Sequence, residues 1–128
     1  MADPKLKALE QSLQAEADGL KSLEREGQRA QQAQQQFIQQ QNENQMVLKE
    51  LETLEDDNGV YKLVGPVLIK QDLVEARSNV KKRLELISGE LSRIDSQLKN
   101  LSKEGQRKQQ QGMKLQQELQ RLQQSSRQ

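Results

Sequence analysis

The chain of 128 residues is 32% apolar and 2% aromatic, too little for a globular core, so we expect a thin packed seam instead. It has no cysteine and no histidine, which excludes disulfides and thiol or imidazole catalysis, and we expect no enzyme activity, catalytic residue, metal site or cofactor. The net charge of +1 hides an acidic half and a basic half: residues 1–64 have seven basic and twelve acidic residues, and residues 65–128 have thirteen basic and seven acidic residues. Repulsion between like charges therefore disfavours parallel pairing of two copies of the same arm.

The first predicted element is a helix over about residues 4–57. Asp3 offers an N-cap, and Pro4 suits the first helical position because an N–H there would have no partner within the helix. The helix should end at residues 56–59, where Gly59 can adopt the left-handed conformation and acidic side chains oppose the helix dipole. Apolar residues follow the three-four spacing of a coiled-coil seam, at Leu6, Leu9, Leu13, Leu20, Leu23, Ala30, Phe37, Leu48 and Leu51, with polar breaks at Glu16, Gln34, Gln41 and Asn44.

The second predicted element is a β-hairpin over about residues 60–70. β-Branched and aromatic residues stand on both sides of Gly65-Pro66, a pair that turns the chain. A lone two-stranded hairpin has two unpaired edges, so we expect it to assemble with other hairpins, although it could instead fold as a cap onto its own helices. The residues predicted to carry assembly are Val60, Tyr61, Leu63, Val64, Val67, Leu68 and Ile69.

The third predicted element is a helix over about residues 72–124, opened by Asp72 and Glu75 as a capping pair. Its seam positions are Val80, Leu84, Ile87, Leu91, Ile94, Leu98, Leu101, Leu115, Leu119 and Leu122, with breaks at Gly105, Lys108 and Gly112. The predicted fold is mainly α, a long antiparallel two-helix coiled coil with one β-hairpin at the bend. At 1.5 Å per residue each arm would run roughly 75 Å.

The alignment of the two arms stays open between two registers a heptad apart. The first register pairs Leu9 with Leu119, and the second pairs Leu13 with Leu122. Exposed charge pairs contribute under about 1 kcal/mol each, so the charges do not choose between them.

The central stretch resembles the β-class subunits of the prefoldin family. The resemblance has specific residues over about 43–87, whereas outside it only the heptads match. The matching residues are the run from Val60 to Gln71, then Glu75, Ala76, Arg77, Lys82, Arg83 and Leu84, with Glu43, Asn44, Val47 and Leu51 before the hairpin. A single hairpin is typical of the β class, since α-class subunits carry two.

The resemblance implies a single prefoldin-like domain over residues 1–128 that assembles into a hexamer of two α-class and four β-class subunits. Their hairpins would pair into a β-barrel body. The complex would act as an ATP-independent holdase that binds unfolded actin and tubulin at the coiled-coil tips. It would then deliver them to the cytosolic group II chaperonin.

The two chain ends meet at the open end of a helical hairpin, where we expect client contact. Terminal turns fray, and a frayed leucine seam exposes apolar surface that another chain can cover at roughly 25 cal/mol per Å². The alternative is that these side chains only close the coiled coil. The predicted tip residues are Leu6, Leu9, Leu13, Met113, Leu115, Leu119 and Leu122.

A repeated motif predicts a compliant zone in the middle of the arms, which would let the tips bend around clients of varied shape. Residues 26–29 and 104–107 share the sequence Glu-Gly-Gln-Arg, and each glycine, Gly27 and Gly105, occupies a seam position. A helical glycine costs about 1 kcal/mol relative to alanine and fills no space. The alternative is that the glutamine-rich stretches that follow are merely solvated surface.

Other functions fit the sequence less well. A structural tether or spacer without chaperone activity would use the same heptads but gives the hairpin no role. Acidic residues interrupt the basic second arm, which also lacks stacking aromatics, so we expect no nucleic-acid partner. The carboxylates at residues 55–57 suit a solvated helix end better than a catalytic site. With no apolar run near the roughly 18 residues of a membrane span and no signal pattern, we expect no membrane partner and a cytoplasmic location, with the nucleus as an alternative.

Overall fold

The structure, a computed structural model, describes residues 3–55 and 60–126. Its elements in chain order are helix α1 (Pro4–Thr53), strand β1 (Val60–Val64), strand β2 (Val67–Gln71) and helix α2 (Leu73–Ser126). Two long helices with one antiparallel hairpin between them are the predicted elements in the predicted order, and the fold class is confirmed. In the described part of the chain, neither helix has a stretch apolar enough to cross a membrane.

Helix α1 begins as the sequence predicts and ends one turn early. The Asp3 carboxylate accepts a hydrogen bond from the Lys5 amide at 3.0 Å, which is an N-cap. At the other end the helix stops at Thr53 instead of about residue 57. The Leu54 amide turns back to the Leu51 carbonyl at 3.4 Å, so the last turn tightens. The predicted stop signal at residues 56–59 lies outside the described residues.

The hairpin has a regular antiparallel register that joins Val64 to Val67 and Leu63 to Leu68. Gly65 and Pro66 form its two-residue turn. Gly65 has a φ of 59°, a left-handed conformation that glycine adopts without the clash a Cβ would cause. The turn therefore depends on the glycine that the sequence places there.

Helix α2 is capped by Asp72, as predicted. The Asp72 carboxylate accepts from the Val74 amide at 3.0 Å, and its carbonyl accepts the first helical bond from the Ala76 amide at 2.8 Å. The other half of the predicted capping pair is absent: within residues 3–55 and 60–126, no hydrogen bond joins the Glu75 side chain to the Asp72 amide. Asp72 alone therefore marks this helix start.

The seam predicted from the heptads is confirmed position by position. Every apolar seam residue named for α1 and α2 is buried or half-buried, and so are the polar breaks and glycines at the same spacing. The contacts group the chain into two units, which we call the terminal unit, described over residues 3–31 and 96–126, and the hairpin unit, described over residues 32–55 and 60–95. Each unit contains a segment of both helices.

The hairpin unit has the better packed core. Leu73 is 2% exposed and packs in a cluster with Leu51, Ala76 and Val80. Half-buried Val60 packs against this cluster, which ties the base of the hairpin to the helices. The sequence did not predict Leu73 or Ala76 as core residues, because they precede the first apolar position assigned to the seam of α2.

Arg77 joins the two helices of the hairpin unit by capping the end of α1. Its Nε donates to the Leu51 carbonyl at 2.9 Å and its Nη2 donates to the Leu54 carbonyl at 2.7 Å. Carbonyls in the last turn of a helix lack their usual helical partner four residues on; that of Leu51 accepts the Leu54 amide at 3.4 Å as well as Arg77. A guanidinium also opposes the negative end of the helix dipole. This contact therefore stabilises the end of α1 at Thr53.

Replacing Arg77 by methionine is expected to lower the free energy of unfolding by about 1 to 3 kcal/mol, because half-buried carbonyls lose charged donors. Urea unfolding of the purified chain measures the change. The matched control is Arg93→Met, because Arg93 is an exposed residue that pairs with Glu90 one turn away on the same helix, and such pairs contribute about 0.5 kcal/mol or less. Equal effects of the two substitutions would refute the capping role.

The contacts of Lys108 show which of the two predicted registers the structure has. In the terminal unit its Nζ lies 3.8 Å from Oε2 of Glu16, and a Cβ added to Gly19 would lie 3.1 Å from the same nitrogen. The first register places Lys108 within a turn of both residues, whereas the second places it opposite Gly27. The structure therefore has the first register, which makes the fuller use of the terminal leucines.

Candidate functional site

The hairpin presents an exposed apolar surface, which we call the hairpin surface. It consists of the seven residues predicted to carry assembly: Val60, Tyr61, Leu63, Val64, Val67, Leu68 and Ile69. Except for half-buried Val60, all are exposed, with Leu63 the most at 67% and Val64 the least at 50%. Side chains of this type rarely stay exposed in such a compact group unless another molecule covers them.

Both faces of the hairpin contribute to this surface. Because paired residues share a face, Leu63 and Leu68 lie on one side, while Val64, Val67 and Ile69 lie on the other. The sheet has only two strands, so each strand has one edge without a ladder partner in the part of the chain that the structure describes. Apart from its base at Val60, the hairpin leaves its apolar side chains exposed instead of covering them on its helices, and its open edges can template further strands.

The predicted tip residues lie in the terminal unit in two different environments. Six of them face the helix seam and are half-buried: Leu6, Leu9, Leu13, Leu115, Leu119 and Leu122. Met113 points out of the seam and is 62% exposed. The structure brings Met113 and Leu13 to one cavity of about 470 Å³, which Leu20 and Gly112 also line.

The two repeated tracts lie near each other, as the sequence predicts. Gly27 and Gly105 line one cavity of about 600 Å³ in the terminal unit, together with leucines of both helices. A Cβ added to either glycine would meet nothing within 4 Å. The seam thus has a void at the repeat, and its compliance stays a prediction.

Replacing both glycines by alanine is expected to raise the free energy of unfolding by about 1 kcal/mol per site, because alanine has the higher helix propensity and both sites have room. Gly89→Ala is the control, since Gly89 is an open helical site outside the cavity and should give the same gain per residue.

Amide exchange of the unaltered chain tests whether the repeat forms a compliant zone. The prediction of compliance is wrong if residues 26–36 and 104–112 are protected from exchange as strongly as residues 84–98.

A charged pair inside the terminal seam was missed by the sequence reasoning. Glu16 and Lys108 were read as separate polar breaks, one in each helix. Their side chains are only 22% and 27% exposed and form an ion pair across the seam. Pairing them requires the register, so the only sequence signal was that the two breaks carry opposite charges.

Comparisons with known proteins place the chain in a family. The family described as prefoldin subunit matches residues 14–126. Prefoldin subunit 6 of Arabidopsis thaliana is 44% identical over 96 residues, covering 75% of this chain and 74% of the relative. Prefoldin subunit 6 of Homo sapiens is 39% identical over 88 residues, covering 69% and 68%. These relatives confirm the resemblance to the prefoldin family, and both are named as its subunit 6.

A solved structure gives the same answer for the fold. The crystal structure of the prefoldin beta subunit from Thermococcus strain KS-1 matches with a TM-score of 0.74 at 27% identity. The match covers 80% of this chain and 90% of that subunit. The single hairpin between two helices is therefore the arrangement of a β-class subunit.

Proposed function

The chain belongs to the prefoldin family, and we propose that it is a β-class subunit of an ATP-independent holdase chaperone. In this proposal it assembles with α-class and β-class sister subunits into a hexamer of two α-class and four β-class chains. The complex binds unfolded actin and tubulin and hands them to the cytosolic group II chaperonin. We place its action in the cytoplasm, with the nucleus as an alternative.

The observation that best supports assembly is the exposure of the hairpin surface. Its apolar side chains and unpaired strand edges favour addition of strands from sister hairpins, because each new strand pairs backbone groups and covers apolar area. A closed barrel of such hairpins removes all edges at once. The assembly residues are accordingly those of the hairpin surface.

Client contact is assigned to the terminal unit. Its seam leucines are half-buried, so opening the seam exposes apolar area without breaking a well-packed core. Met113 is exposed even when the seam is closed, and its flexible thioether adapts to varied partners. Weak and poorly selective binding follows, as a holdase requires.

The test is suppression of aggregation by the complex purified with its sister subunits. Chemically unfolded actin diluted into buffer should stay soluble with the complex present and ATP absent, and the held actin should pass to added chaperonin. The rival function, a coiled-coil tether or spacer, predicts no suppression and a parallel homodimer. An assembled hexamer that leaves actin aggregation unchanged would contradict the proposed activity.

A further inference from the structure

The ion pair between Glu16 and Lys108 lies where the helix seam should hold apolar side chains. Both positions continue the seam periodicity and are about three-quarters buried. Packed leucines at these positions would contribute apolar area, whereas charged groups must first give up their water. Replacing buried ion pairs by apolar residues is often neutral or stabilising for this reason.

The geometry of the pair is poor. The Lys108 Nζ and the Glu16 Oε2 are 3.8 Å apart, beyond hydrogen-bond distance. That oxygen is shielded from solvent and has no hydrogen-bond partner within the described residues. A desolvated carboxylate oxygen without a donor is unfavourable, so this turn of the seam is weakly held.

The Lys108 side chain needs a glycine opposite it. Its stem lies so close over Gly19 that a Cβ there would be 3.1 to 3.4 Å from Lys108 Nζ, Cε and Cδ, so at Gly19 the stem packs on backbone and meets no apolar side chain. Glu16 itself lines the cavity of about 470 Å³, together with Leu13, Leu20 and Met113. The weakly held turn therefore adjoins apolar side chains assigned to client contact.

We propose that the Glu16–Lys108 pair is a gate that keeps the terminal seam easy to open, so that an apolar segment of an unfolded chain can reach the leucines beside it. This inference rests on the proposed holdase function. Opening hydrates both charges, which partly offsets the loss of leucine contacts, and closing desolvates them again. The open state is thereby more populated than an all-leucine seam would allow.

Opening of the terminal seam and binding of client are linked quantitatively. If a client binds only the open state, its apparent dissociation constant is the intrinsic constant divided by the open fraction. A change that lowers the open fraction tenfold should therefore slow amide exchange through that opening and weaken client binding by the same factor.

The experiment uses the assembled complex carrying Glu16→Leu with Lys108→Leu. Amide exchange at residues 9–20 and 108–119 should slow about tenfold or more, and the apparent affinity for unfolded actin should fall in proportion. Glu16→Met with Lys108→Met fills the same space with adaptable side chains and should act alike. The charge swap Glu16→Lys with Lys108→Glu restores a pair and should hold client as the unaltered complex does.

The matched control is Gln34→Leu with Gln41→Leu, which adds two seam leucines in the hairpin unit and should change neither exchange nor affinity in the terminal unit. The gate proposal is wrong if amide exchange in the double-leucine variant slows while its affinity for unfolded actin stays unchanged. It is also wrong if amide exchange in the terminal unit of that variant does not slow. Failure of the unaltered complex to hold actin would instead contradict the proposed function itself.

Discussion

Replacing Leu63 by aspartate is expected to abolish assembly with sister subunits while leaving the helix content of the chain intact. Leu63 is 67% exposed in the single chain, so the carboxylate stays in water there. In an assembled barrel the same carboxylate would lose its water beside apolar strands, which costs several kcal/mol without a partner. Size-exclusion chromatography of the co-expressed subunits and circular dichroism of the chain measure the two effects.

Val67→Asp should behave in the same way, because Val67 lies on the other face of the hairpin and is also exposed. Leu86→Asp is the matched control: Leu86 is an exposed apolar residue of α2 in the same unit but outside the hairpin surface. It should assemble normally. A complete hexamer containing the Leu63→Asp chain would show that the hairpin surface does not carry assembly.

Removing residues 1–13 together with 115–128 is expected to leave the hexamer intact and abolish suppression of actin aggregation. The deletion removes six of the seven predicted tip residues and no residue of the hairpin unit. The complex then loses roughly 25 cal/mol of binding free energy for each Å² of apolar tip surface that a client would have covered. Light scattering of diluted unfolded actin reports suppression, and native mass reports assembly.

A shorter deletion of residues 1–2 and 125–128 controls for loss of chain length. It keeps all seven tip residues and the Asp3 cap of α1, so suppression should persist. Suppression retained by the longer deletion would mean that clients are held elsewhere on the complex. The tip assignment would then be wrong even if the holdase function stands.

Local chemistry made most of the fold predictable. The three-four spacing of leucines defined both seams because a coiled coil buries one narrow stripe of each helix. Asp3 and Asp72 were recognisable as caps because their carboxylates accept neighbouring amides, a contact within two residues. Gly65 and Pro66 predicted the turn from local chemistry too, because glycine tolerates a left-handed backbone and proline cannot extend a strand ladder.

What escaped prediction depends on residues far apart in the sequence. Arg77 caps α1 across 26 and 23 residues, and no local pattern announces such a contact. The end of α1 was placed too late because the stop signal was read without this tertiary cap. The Glu16–Lys108 pair likewise appears only once the register is known, and two registers a heptad apart satisfy the same leucine spacing.

In the candidate sites, the apolar residues can be identified from the amino-acid sequence, but their exposure is known only from the structure. Leu63 and Leu9 are the same residue type, yet one lies open on a two-stranded sheet and the other lies half-buried in a seam. That difference separates a surface suited to permanent assembly from one suited to transient contact.

We propose that the exposed apolar hairpin, with its open strand edges, recruits sister hairpins. Native mass spectrometry of the chain co-purified with α-class and β-class partners tests this proposal. We expect one species with the mass of two α-class and four β-class chains, containing this subunit. A stable monomer with its hairpin intact in the presence of those partners would contradict the account.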